Sequence, residues 1–159
     1  MMGLVRLSLI LLGLTLGLGE RAVAQSCTTA ATGLAFSNYQ PLSGLPVTTT
    51  AQVTVTCSAT IAIGVSYSLQ ISAGTGGTYA NRSMAGTPSG RLPYQIYSDA
   101  LYSQIWGDGT GGSSAVNDGY LLGILFPVVK TYFAYGRILA NTNAPVGTYA
   151  DTISILVVY

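Results

Sequence analysis

Histidine is absent from this chain, and its one glutamate, Glu20, lies near the N-terminus. Without imidazole, the commonest general base and the usual activator of a serine or cysteine nucleophile are missing. Catalytic triads are thereby excluded. Charge is scarce as well: beyond residue 24 the cations are Arg82, Arg91, Lys130 and Arg137 and the anions Asp99, Asp108, Asp118 and Asp151, in formal balance. Four scattered cations build no basic patch, so nucleic acid and anionic lipid are not expected partners. No motif pairs two carboxylates for glycoside hydrolysis. The chain reads as non-enzymatic, with no cofactor.

Cysteine is nearly as rare. Cys27 and Cys57 stand alone, and two sulfurs without histidine cannot fill a zinc shell unless carboxylates join them. Asp108 and Asp118 lack the ligand spacing of a calcium loop, so no metal site is expected. After the first 24 residues no apolar run reaches the roughly 20 residues of a membrane span, and stable membrane insertion is not expected. The early apolar run, residues 7–19, follows Arg6 and leads to Ala22, Val23 and Ala24, the small-x-small pattern of a signal-peptidase site. Residues 1–24 therefore read as a signal peptide cleaved between Ala24 and Gln25, and residues 25–159 as one exported domain. A lipoprotein would need its cysteine at the cleavage point, where Gln25 and Ser26 intervene. In an exported chain Cys27 and Cys57 most simply form a disulfide; closing a loop of about 30 residues removes denatured-state entropy worth roughly 3.5–4 kcal/mol.

What the sequence does contain is alternation. Val53, Val55 and Cys57 face one way from a run of threonines, Val65, Tyr67, Leu69 and Ile71 repeat the pattern, and Leu92, Tyr94 and Ile96 repeat it again. A period of two with β-branched and aromatic residues marks half-buried strands. Further strands are expected over residues 27–36 and 130–139, with residues 100–106 as a hairpin partner of residues 92–98. Residues 120–129 are apolar throughout and fit a buried strand or a helical segment, although Gly123 and Pro127 oppose a long helix. Gly74, Gly76 and Gly77 are not followed by a helical stripe, so they make a turn rather than a phosphate cradle. Short strands punctuated by turns indicate an antiparallel β-sandwich. The final stretch, residues 148–159, alternates through Tyr149, Ile153, Ile155 and Val157 to Tyr159 and reads as one strand with a neighbour on one side only.

The order of several short motifs adds to this reading: Cys27, then Gly33 to Phe36, Tyr39 to Pro41 and Val53 to Cys57, later Asn81 to Met84, Leu92 to Asp99, Trp106 to Gly109, Tyr135 to Ile138 and Gly147 to Thr152. Together they resemble the spore coat protein U domain, which is also the subunit domain of archaic (Csu-type) chaperone–usher pili. The resemblance implies an all-β fold, an incomplete immunoglobulin-like antiparallel sandwich lacking its last strand and completed in trans by donor-strand complementation. It implies a periplasmic chaperone, an outer-membrane usher and a neighbouring pilus subunit donating a strand as partners, with display on the cell surface or pilus. The acceptor edge would comprise Tyr149, Ile153, Ile155, Val157 and Tyr159. Polymerising subunits of that family carry a donor segment before the first cysteine, whereas only Gln25 and Ser26 would precede Cys27 after cleavage. A terminal or minor subunit, most naturally the tip, is the expectation, with a role in attachment and biofilm formation. Tyr39, Tyr79, Tyr102 and Trp106 are candidate adhesive loop aromatics. The alternative is a self-folding secreted coat or matrix protein.

Overall fold

Threonine and valine alternate through Val47–Ala59, the longest strand, and in the computed structural model Ala51, Val53, Val55 and Cys57 are buried while the intervening residues face outward. The structure describes residues 25–59, 63–122 and 126–159. The expected signal peptide and Ala24 lie outside the described residues. The elements among them are β1 (Gln25–Ala31), β2 (Val47–Ala59), β3 (Ile63–Ile71), β4 (Arg82–Thr87), β5 (Arg91–Tyr97), β6 (Val116–Leu122), β7 (Val128–Ile138), β8 (Thr148–Ala150) and β9 (Ile155–Val158), with one short 3-10 turn at Pro41–Ser43. Pro41 suits the start of that turn, and Gly44, at φ 69°, ends it in the left-handed region that favours glycine.

All ladders are antiparallel. One sheet has six strands in the order β1-β2-β7-β5-β4-β8, the other three in the order β6-β3-β9. The inner faces meet in a core of Val53, Val55, Leu69, Ile71, Ile96 and Ile138 around the fully buried Trp106. Such a sandwich is the structure expected from alternation, because each strand has one apolar face to remove from water. Cys27 and Cys57 are direct cross-strand partners on β1 and β2 and are joined by a disulfide. That bond fastens an edge strand to the core, since Cys57 is fully buried.

Four strand boundaries differ from the sequence-based expectation. The final stretch is two strands, not one: β8 pairs with β4 in the large sheet and β9 with β3 in the small one. Asp151 separates them, because its carboxylate leaves the ladder to accept hydrogen bonds from Thr75 N (2.8 Å), Thr75 Oγ1 (2.6 Å) and Tyr94 Oη (2.7 Å). The first strand stops at Ala31, and residues 32–40 run on without ladder pairing. Residues 100–106 do not form a regular hairpin strand; Asp99 folds their start into a turn, and the return to β5 is limited to the bridge of Tyr97 to Ile105 flanked by Ser98 N to Gln104 O and Trp106 N to Ile96 O. The apolar run at 120–129 is divided between the end of β6 and the start of β7, with no helix among its described residues. Strand β4 carries no apolar alternation; it is held by Arg82, whose buried guanidinium donates to Gln95 Oε1, Ser72 O and Trp106 O. Burial lowers the pKa of Arg82, and carbonyl oxygens rather than a carboxylate take its hydrogen bonds.

Candidate functional site

Between the two edges of the large sheet lies a groove of about 950 Å³. Its floor is the inner face of β2, β5 and β7, where the buried Ala51, Val53, Tyr94, Ile96, Ala134 and Ile138 line it. One wall is residues 31–39, the chain leaving β1; the other is residues 144–151 with Ile153 and Ile155, the chain running through β8 towards β9. The first wall is anchored at its start, where Thr32 N donates to Gln52 O and Gln52 N donates to Thr32 Oγ1. Beyond that point Leu34 and Phe36 drop onto the core, with the Phe36 ring set edge-on to Tyr94 at 6.1 Å. The other wall is pinned by Asp151, and Ser72 N donates to Ser154 O just beyond it.

The walls explain what the groove can hold. Among the described residues, 33–39 make no backbone ladder, and β9 has β3 on one side and no strand on the other. Main-chain groups at an open sheet edge are a template for another strand. An extended segment laid between the walls would find those groups on its flanks and apolar residues beneath its alternate side chains. That arrangement is strand addition to an open edge, with pockets for every second side chain.

Among the described residues, the one carboxylate lining the groove is Asp151, hydrogen-bonded to Tyr94. Burial pushes the Asp151 carboxyl up, but hydrogen bonds from Thr75, Tyr94 and Thr152 outweigh it and hold the pKa below the usual range. Tyr94 is pushed well up, first by burial and then by its bond to Asp151. The pair is a structural clasp, because each group already has its partners. No cluster of three or more metal-ligating side chains occurs among the described residues.

The predicted edge residues fall in three places. Tyr149, Ile153 and Ile155 line the groove; Val157 packs against the core beyond the groove lining; Tyr159 lies outside it, beside Ser66 and Tyr67, and is 54% exposed. Of the four loop aromatics, Trp106 is withdrawn from the adhesive set: it is completely buried, with Nε1 donating to Leu69 O at 3.0 Å. An indole is large and apolar with one donor, and here the core satisfies both needs. Tyr39 is half-buried in the groove wall, its hydroxyl donating to Leu139 O and accepting from Thr142 N. Tyr79 stands against Arg82 at 5.3 Å. Tyr102 lies on the outer face of the large sheet, against Tyr97 and Tyr135. Sequence reasoning missed the first wall and the floor, although the alternation of Leu92, Tyr94 and Ile96 supplied half of that floor.

The geometry defines a class: a two-sheet antiparallel sandwich with an apolar groove beside open sheet edges. The family description "Spore Coat Protein U domain" matches residues 15–156, and the chain belongs to that family. No curated protein matches the sequence significantly. Among solved structures it is similar to a chain of the CsuC–CsuE chaperone–tip adhesion subunit pre-assembly complex, from the archaic chaperone–usher Csu pili of Acinetobacter baumannii. That match has 19% identity and a TM-score of 0.56, and covers 86% of this chain and 40% of the other. This chain thus spans well under half of that relative, and the likeness supports the all-β sandwich fold.

Proposed function

We propose that the protein is a non-enzymatic, exported subunit of a chaperone–usher pilus whose groove is filled by an extended strand from a partner. A periplasmic chaperone supplies that strand before assembly, and a neighbouring subunit supplies it in the fibre, after passage through an outer-membrane usher. The observation that carries this reading is the groove itself, with an apolar floor, one wall without ladder pairing at residues 33–39 and the other running through the edge strand β8 to the edge strand β9. The fold likeness to a chain of a chaperone–subunit complex supports it.

Its place in the fibre is terminal or minor, at the tip or beside it, and it contributes to surface attachment and biofilm formation. Strand β1 begins at Gln25, which is already paired with Ala59, so the residues from Gln25 to Ala31 are committed to the chain's own sheet. Cleavage between Ala24 and Gln25 would leave nothing to donate.

The test is periplasmic expression with and without a pilus chaperone, followed by purification with the disulfide intact. Recovery only as a one-to-one complex, and release as a stable domain by an added donor-strand peptide, is the expected result. A cooperatively folding monomer without either would overturn it in favour of a self-folding coat protein. Mass spectrometry of the exported chain tests the terminal position: a start well before Gln25 would supply a donor segment and remove that part of the proposal.

A further inference from the structure

The outer face of the large sheet, turned away from the groove, carries an aromatic cluster that the core does not use. Outward positions on β7 place Phe133, Tyr135 and Arg137 in a row, with Tyr97 of β5 opposite Tyr135. On the other side β2 sets Thr48, Thr50 and Gln52 opposite Arg137, Tyr135 and Phe133. Tyr102 folds back over this row: ring centroids are 5.4 Å apart for Tyr97 and Tyr102 and 6.5 Å for Tyr102 and Tyr135. Phe133 extends the cluster 6.4 Å from Tyr135 and is 43% exposed.

Two further observations distinguish this face from ordinary packing. Tyr102 has φ 56°, a conformation that a bulky residue adopts only where its surroundings impose it. The Asp99 turn imposes it: the carboxylate accepts from Leu101 N, Ser103 N and Gln104 N, while Asp99 O accepts from Tyr102 N. The second observation is Arg137, whose guanidinium lies 5.1 Å from the Tyr102 ring centre. Among the described residues it has no carboxylate and no hydrogen-bond partner, and its Nε is buried without an acceptor. Asp99 is saturated by its own turn and is not a counter-ion for it.

An aromatic surface alone would suit many apolar partners, but an unpaired, rigid fork of donors within it selects an anion. Guanidinium geometry matches a carboxylate. Flat rings with a rim of hydroxyl and amide groups suit a molecule that has apolar C–H faces and many hydroxyls. We propose that this face binds a carboxylated saccharide of the uronic-acid type, the pyranose ring stacking on Tyr135 with the Tyr102 ring, set at 82° to it, as a side wall, while Arg137 takes the carboxylate. The inference does not rest on the groove, so it stands or falls separately from the pilus reading.

The test titrates the full exported chain, recovered with whatever chaperone or donor peptide it requires, with oligogalacturonate. The comparison probes are the same oligomer with its carboxylates reduced to alcohols and a sulfated oligosaccharide of matched charge. Saturable binding to the uronate, at least tenfold weaker for both comparison probes, is expected. Arg137→Gln should weaken uronate binding at least tenfold, and Arg137→Lys, which keeps the charge and loses the fork, several-fold. Tyr102→Gly removes the ring while tolerating the positive φ, and should also weaken binding, with the thermal unfolding of each variant close to the parent's. Absent saturable binding, equal affinity for either comparison probe, or undiminished binding by Arg137→Gln would overturn the proposal.

Discussion

The two flanks of the sandwich are made of similar residues and are closed in opposite ways. On one flank Asp118 of β6 accepts from Lys130 Nζ (2.7 Å) and Tyr132 Oη of β7, and Tyr67 of β3 hydrogen-bonds Tyr132 in turn. Tyr67, Tyr120 and Tyr132 stack edge-to-face around that chain. The sheets are laced together there by groups the chain supplies for itself. On the other flank, residues 31–39 and 144–151 face each other across the groove, with no hydrogen bond between the two walls among the described residues. Composition does not separate the flanks; the pairing of polar groups does. A side laced across the sheets by its own side chains, the Tyr120 hydroxyl excepted, presents no unfilled edge, whereas one with spare backbone and an apolar floor has the features that strand addition uses.

Breaking the comparison starts with the disulfide, where the largest effect is expected. Replacing Cys27 and Cys57 by serine frees β1, which leads into the groove wall, and should cost about 2–5 kcal/mol in urea unfolding. A loss below about 1 kcal/mol would mean that the wall holds without its staple. Next, Asp118→Ala should unlace the closed flank by leaving Lys130 and Tyr132 without their acceptor. Both members of the ion pair are about a third exposed, at 33% and 27%, so its charge is screened. The expected loss is about 1–2 kcal/mol, mostly from the orphaned hydrogen bonds, with capture of a donor-strand peptide unchanged.

Ile155→Asp is the converse substitution. It places a charge on the groove lining, where the parent side chain is only half-buried. Stability should change by less than about 1 kcal/mol while peptide capture weakens tenfold or more, about 1.4 kcal/mol. Equal effects on stability and capture would show that the groove is simply a poorly packed core.

The smallest effect is that of pH. Hydrogen bonds from Lys130 and then Tyr132 hold the Asp118 carboxyl below the ordinary value, and Asp151 is also net lowered although burial opposes it. A group whose folded pKa is depressed contributes its stability above the unfolded value and loses it as pH falls through the folded one. The unfolding free energy should therefore be level from neutral pH to about 5 and fall below about 4, by at most about 1.4 kcal/mol per pH unit per group. Asp118→Asn should make that decline shallower. A decline of unchanged slope would place the acid sensitivity away from the closed flank, at Asp151, Asp99 or Asp108, whose carboxyls are also held below the ordinary value.

Period-two alternation made β2, β3 and β5 legible, because Val53, Val65 and Leu92 each begin a run in which every second residue is buried. Strand β4 was hidden for the opposite reason. Its inward group is Arg82, and the Ser72 and Trp106 carbonyls that make its burial tolerable are 10 and 24 residues away. The groove was half legible: Tyr149, Ile153 and Ile155 stood out as an unpartnered edge, whereas Leu34 and Phe36 looked like an ordinary strand. They become a wall because the chain leaves β2 after Thr32, which no local pattern announces. Trp106 looked like a loop residue among glycines and is the centre of the core, because the turn that carries it folds back between the sheets.

By itself the sequence determined the fold class, the disulfide and the apolar faces, since alternation and cysteine count are local properties that survive in any register. Its final residues also read as strand-forming, and two short strands, β8 and β9, do occur there. Only the tertiary structure decided that this stretch divides at Asp151 between two sheets, that residues 31–39 form the facing wall, and that Asp118 closes the opposite flank. Those outcomes depend on hydrogen bonds between residues tens of positions apart, such as Thr75 N to Asp151, and no spacing along the chain encodes them.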